Sequence, residues 1–140
     1  MTSARIIVVT LLLAACSRGI ADVPPGVFFP TVPIGDAYPA AQFRGVLEVV
    51  EGCLFMTDGS ERWLALWPEG YRVERTDGSI QIRDRSGTVI ATEGERLLLG
   101  GGESRGIEVG GAGAADAWAR DLTGQTIPER CGHLYWIVSP

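Results

Sequence analysis

The chain has no lysine and one histidine, and all twelve of its basic residues are arginine. Without lysine, no ammonium is available to meet a nucleotide phosphate. Gly100-Gly101-Gly102 and Gly110-Gly111-Ala112-Gly113 therefore read as flexible loops rather than phosphate cradles. A zinc site needs three or four ligands. Cys131-Gly132-His133 offers two, and no second pair of suitable spacing exists, so no metal is expected and His133 reads as a surface or strand-edge residue. A Gly-x-Ser-x-Gly elbow is missing too. Ser60, Ser79, Ser86 and Ser104 stand at turns or beside glycine, where serine serves backbone geometry. Positive charge is scarce: the formal net charge is −5. An acidic surface repels phosphate backbones and anionic lipid headgroups, which argues against a nucleic-acid partner. After residue 15 no apolar run is long enough to span a bilayer. No cofactor is implied.

What is present begins at the N-terminus. Arg5 precedes an apolar run over residues 6–15, with Thr10 its one polar member. Ten helical residues span about 15 Å, half of a hydrocarbon core about 30 Å thick. That is too short to cross a membrane and suits a signal peptide. The order Leu13-Ala14-Ala15-Cys16 resembles the lipobox of bacterial lipoproteins. The resemblance implies cleavage before Cys16 and acylation of its sulfur, with palmitate-like chains holding the protein on a membrane. Two or three chains at one residue anchor stably where a single chain is marginal. Ser17 lacks the aspartate that retains enteric lipoproteins at the inner membrane. The expected location is thus the cell envelope: the periplasmic face of the outer membrane where there are two membranes, otherwise the outer face of the cell membrane. Loss of residues 1–15 removes Arg5 and makes the mature chain one unit more acidic.

Cys53 and Cys131 remain, an even pair in an oxidising compartment. A disulfide between them would close a loop of about eighty residues, worth roughly 4 kcal/mol in the chain-entropy model. The alternative is two buried free thiols.

The organisation expected is a signal peptide over residues 1–15, a lipidated cysteine and proline-rich tether over 16–42, and one domain over 43–140. Pro24, Pro25, Pro30, Pro33 and Pro39 favour extended chain. Val27, Phe28, Phe29, Val32, Ile34 and Tyr38 are too apolar for a free linker, so part of this segment should pack along the domain as a strap. Residues 43–50 alternate in strand fashion, with Phe43, Gly45, Leu47 and Val49 on one face. Gly52 marks a bulge or bend before residues 53–57. Residues 62–67 are apolar on both faces and predict a covered, central strand. Asp77-Gly78 predicts a type I′ hairpin between residues 71–75 and 80–84. Further strands are expected at 88–92, 96–99, 106–109 and 134–138. The one helix, over 114–122, should bury Ala114, Ala117, Trp118 and Leu122.

These short strands with frequent turns predict an all-β fold, a small barrel carrying one short helix. The pattern resembles a Greek-key, OB-like barrel. Gly45-Val46-Leu47, Gly52-Cys53-Leu54, Leu66-Trp67-Pro68, Gly100-Gly101-Gly102 and Cys131 ahead of Tyr135-Trp136 are similar to small bacterial envelope domains of uncharacterised function. That resemblance supports the disulfide and the fold and transfers no activity. Trp63, Trp67, Trp118 and Trp136 with Tyr71 and Tyr135 are mainly core residues. Trp67, ending a strand beside Pro68, and Tyr71 are the candidate ligand contacts. The functional expectation is a membrane-anchored binding or assembly module with an envelope protein or glycan as partner. The alternative is a small hydrolase using paired carboxylates drawn from glutamates such as Glu48, Glu51, Glu61 and Glu95, in which one carboxylate has a raised pKa.

Overall fold

The computed structural model describes residues 23–36, 39–103 and 111–140. Cys16, Tyr38, Gly110 and the strand expected at 106–109 lie outside the described residues. The elements are β1 (Thr31–Val32), β2 (Ala41–Val50), β3 (Cys53–Thr57), β4 (Arg62–Pro68), β5 (Arg72–Thr76), β6 (Ser79–Arg83), β7 (Val89–Thr92), β8 (Arg96–Glu103), α1 (Gly111–Thr123) and β9 (Tyr135–Val138).

Strands β2, β3 and β4 form an antiparallel meander, and β8 returns to the free edge of β2. The last strand, β9, lies antiparallel to β8 and parallel to β4, which closes a five-stranded Greek-key barrel. The fold is therefore the small OB-like barrel expected. Between β4 and β8 the chain makes a separate three-stranded sheet, β5-β6-β7, whose Val73, Ile80, Ile82 and Ala91 join the barrel's interior core. The barrel is filled by side chains, as a barrel this small must be. Phe43 sits edge-on between Trp63 and Trp136, at 5.5 and 5.4 Å between ring centroids. Leu47, Leu54, Met56, Ala65 and Val138 pack around this group.

A second core lies outside the barrel wall. Cys53, Phe55, Leu64, Leu66 and Tyr135 point outward from β3, β4 and β9 and are covered by Ala115 and Ala119 of α1. This explains why residues 63–67 are apolar on both faces: one face fills the barrel and the other meets the helix. The buried helix stripe is Ala115 and Ala119, flanked by half-buried Trp118 and Leu122. Ala114 is exposed and Ala117 half-buried, so the stripe is rotated from the expected one. Small alanines let the helix axis approach the sheet closely. The helix ends where Gly124 takes a positive φ of 66° and its N–H bonds the Arg120 carbonyl at 2.8 Å.

The strap is real. Phe28 N–H donates to the Gly52 carbonyl at 2.8 Å, Thr31 and Val32 pair with Trp67 and Pro68, and Phe29 stacks on Trp67. Residues 28–32 are thus an integral part of the barrel domain, and β2 already begins at Ala41.

Two glycine readings are corrected. Gly52 is not a bend within a strand. Glu51 and Gly52, at φ of 50° and 81°, are the central residues of a two-residue hairpin, with Val50 opposite Cys53. Gly100, Gly101 and Gly102 are not a loop; they lie inside β8. A Cβ on Gly101 would overlap the Ile137 carbonyl oxygen, and one on Gly102 would overlap Pro39, so glycine permits the close approach that closes the barrel. The Asp77-Gly78 hairpin forms as expected, with φ of 52° and 85°.

Cys53 and Cys131 form a disulfide across 78 residues of chain. It joins the first residue of β3 to the turn that follows α1, so it fixes the helical segment onto the barrel's outside. Removing it by reduction or by Cys131→Ala is expected to lower unfolding stability by about 2–5 kcal/mol. Urea denaturation with and without reductant measures this; an unchanged midpoint would contradict a structural role for the bond.

Candidate functional site

The two cores decide which surface is left for recognition. Helix α1 covers the outer face of β3, β4 and β9, while β5-β6-β7 and the strap pack against the barrel elsewhere. Along β2 and β8 the outward residues Arg44, Arg96 and Leu98 are exposed, and Val46 and Glu48 are half-buried. Leu98 is 56% exposed, an aliphatic residue at an outward position of the strand's alternation.

A groove of about 700 Å³ runs over this wall, lined by Arg44, Val46, Glu48, Asp58, Arg96 and Leu98 among others. Register places Arg44 directly opposite Leu98, and Val46 directly opposite Arg96. The four residues therefore form a checkerboard, with two guanidinium groups on one diagonal and two aliphatic side chains on the other. The carboxylates of the groove are already engaged. Glu48 accepts from Arg62 Nε at 3.1 Å. Asp58 Oδ1 accepts from the Ser60 N–H and hydroxyl and from the Glu61 N–H, at 2.8, 2.7 and 3.2 Å. Those bonds, the Ser60 hydroxyl first, hold the Asp58 carboxyl below its ordinary value. Arg44 and Arg96 have no ion-pair or hydrogen-bond partner among the described residues.

A second polar cluster lies where α1 meets the last strand. His133 Nδ1 is 2.8 Å from Asp116 Oδ2 and 3.1 Å from Oδ1. A carboxylate only accepts, so Nδ1 carries the hydrogen, and in the neutral imidazole Nε2 is left as an acceptor. Tyr135 donates to the same carboxylate in a short contact and lies 3.2 Å from the Gly132 carbonyl. Burial, then the hydrogen bond to Asp116 and its charge, raise the Tyr135 phenol well above its usual range. An aspartate orienting a histidine supplies two of the three members of a nucleophilic triad. Among the described residues no hydroxyl or thiol hydrogen-bonds to Nε2, and Cys53 and Cys131 are joined to each other. The cluster is best read as a clamp between helix and strand.

The expected ligand contacts fare differently. Trp67 is fully buried, between Phe29 at 5.9 Å and Tyr71 at 6.5 Å. Its expected role as an exposed contact is corrected: β1 pairs over the end of β4, so Pro68 does not leave Trp67 at a free strand terminus. Tyr71 is half-buried against Trp67. Neither lines the β2–β8 groove. Sequence reasoning missed Arg44, Arg96 and Leu98. Their signal is an aliphatic residue in the polar phase of a strand, but it becomes a site only once β2 and β8 are known to pair. Among the glycines considered as phosphate cradles, Gly113 lies within the first turn of α1. Asp84, like Asp58, sits below its ordinary value as a turn acceptor for Ser86, the opposite direction from a general acid.

The chain matches no protein-family model, no curated protein and no solved structure.

A phenol whose pKa is raised on folding holds its proton more tightly in the native state. Its contribution is intact below the unfolded value of about 10 and is lost as the pH climbs toward the native value. Stability should therefore fall above about pH 10, and Tyr135→Phe should flatten that decline. Urea midpoints measured from pH 8 to 12 test this; an equally steep decline in the variant would contradict it. Trp67→Ala should cost about 3–5 kcal/mol of stability as a core truncation, whereas a change under 1 kcal/mol would return Trp67 to the surface.

Proposed function

We propose that this chain is a lipid-anchored cell-envelope lipoprotein whose barrel is a binding or assembly module, presenting the β2–β8 wall to an envelope protein or glycan. The observation that carries the reading is the groove on that wall. An exposed leucine and two arginines whose side chains have no partner among the described residues lie side by side on rigid strands, on the barrel surface that helix α1 does not cover. Strands hold such a set in place more accurately than a loop does. The barrel interior is filled, so a ligand meets the outside of the wall and not a cavity.

The anchor is supported by the sequence Leu13-Ala14-Ala15-Cys16 behind a short apolar run and one cation. The lipid sets where the module works, and the proline-rich segment that follows joins it to the strap over residues 28–32. The membrane partner is thus engaged through the acyl chains on Cys16, and the ligand through the wall.

Two measurements test the two halves. Cys16→Ala should move the protein from the membrane pellet to the soluble fraction; unchanged retention would contradict the anchor. A photo-crosslinker placed at position 98 should give one reproducible adduct in native envelopes, while the same group at exposed Arg120 on the helix should not. Equal labelling from both positions, or none from 98, would contradict the wall as the recognition surface.

A further inference from the structure

We propose that the β2–β8 groove binds an extended acidic peptide, with carboxylates two residues apart on one face. The proposal rests on the reading of this wall as the recognition surface and names the chemistry that it takes.

Charge complementarity carries the argument. The protein is acidic overall, at −5, yet the charged side chains of the groove, with the Arg62 that pairs with Glu48, are three arginines against two carboxylates. Glu48 is bonded to Arg62 and Asp58 to the turn it caps, while Arg44 and Arg96 have no such partner among the described residues. A guanidinium group is a planar fork that matches a carboxylate bidentately. Two of them on one face, diagonal across neighbouring strands, arise from backbone positions about 7–8 Å apart. Alternate side chains of an extended peptide recur every ~6.8 Å on one face. An acid-x-acid segment laid across the wall therefore sets one carboxylate on each arginine. Between the two acids the peptide backbone crosses Leu98 and Val46, which lie on the other diagonal of the checkerboard and give it apolar contact. β2 pairs with β8 over residues 41–46 and with β3 over 46–50, and β8 pairs with β9 over 101–103; recognition is by the outward side chains.

A lipid surface fits less well. The groove is concave, and the remainder of this acidic protein repels anionic headgroups.

The test uses the full chain in nonionic detergent and a labelled peptide, acetyl-Leu-Ser-Glu-Ser-Glu-Ser-amide, in fluorescence anisotropy at low salt. Controls are the same peptide with glutamine for both glutamates, and phosphatidylglycerol vesicles. Expected is saturable binding of the acidic peptide, at least tenfold tighter than the glutamine form. It should weaken at least tenfold in the protein carrying Arg44→Ala with Arg96→Ala, weaken less in Arg96→Lys, and fall with added salt. Both positions are on the surface, and circular dichroism checks that the variants fold. No saturable binding, or binding that survives loss of both arginines, overturns the proposal. Vesicle binding that is tighter than peptide binding and depends on the same arginines also overturns it, assigning the wall to lipid. If the peptide fails while position 98 still crosslinks in native envelopes, the ligand class is wrong and the module reading stands. If both fail, that reading falls as well.

Discussion

Strand β4 is buried on both faces and paired on both edges, and the remaining elements are arranged around that constraint. Its inward residues Trp63, Ala65 and Trp67 fill the barrel, and its outward residues Leu64 and Leu66 lie beneath the helix. On one edge it meets β3. On the other it meets β9 at residues 64–66, and β1 pairs with its last two residues. Burying a leucine side chain stabilises by about 1.5–3 kcal/mol, so a strand with five consecutive buried apolar residues is satisfied only if something covers each face. The filled barrel supplies one cover and α1 the other. The parallel β4–β9 pairing then closes the barrel, which reduces the exposed edge that a small open sheet would otherwise offer to other chains.

At thirteen residues with two glycines, the helix is too short to be held by propensity alone. Three connections secure it: the alanine stripe against Phe55, Leu64 and Leu66, the Cys53–Cys131 bond, and the Asp116 carboxylate that gathers His133 and Tyr135. Arg130 adds a fourth by donating to the Glu51 carbonyl at 2.9 Å, at the β2–β3 turn. Covering one side of the barrel in this way fixes the opposite side as the one available for binding. The proposed function follows from this asymmetry more than from any single side chain.

Much of the fold was legible because its signals are local. Alternation gave β2, an apolar run gave β4, Asp77-Gly78 gave the β5–β6 hairpin, and two cysteines in an oxidising setting gave the bond. What could not be read depends on contacts far apart in sequence. Gly100 to Gly102 look like a loop until β9 and Pro39 are brought against them. Gly52 looks like a bend because a glutamate is an unusual partner in a left-handed turn, yet Glu51 takes that conformation. In a helix built of alternating small residues, hydropathy does not say which alanine faces the sheet, and the expected stripe was displaced by a residue. Trp67 was expected at a free strand end because nothing near it in sequence announces that Thr31 and Val32 will cover it. The groove is the extreme case. Arg44 and Arg96 are half the domain apart in sequence and become neighbours only through the β2–β8 register.

The central claim is that recognition takes place on the β2–β8 wall and not on the helix-covered side. The most direct measurement is an amide chemical-shift map of the isotopically labelled full chain, titrated with detergent-solubilised native envelope. The account predicts perturbations centred on residues 44–48 and 96–98, with α1 silent. Perturbations centred on α1 or on the strap would contradict it.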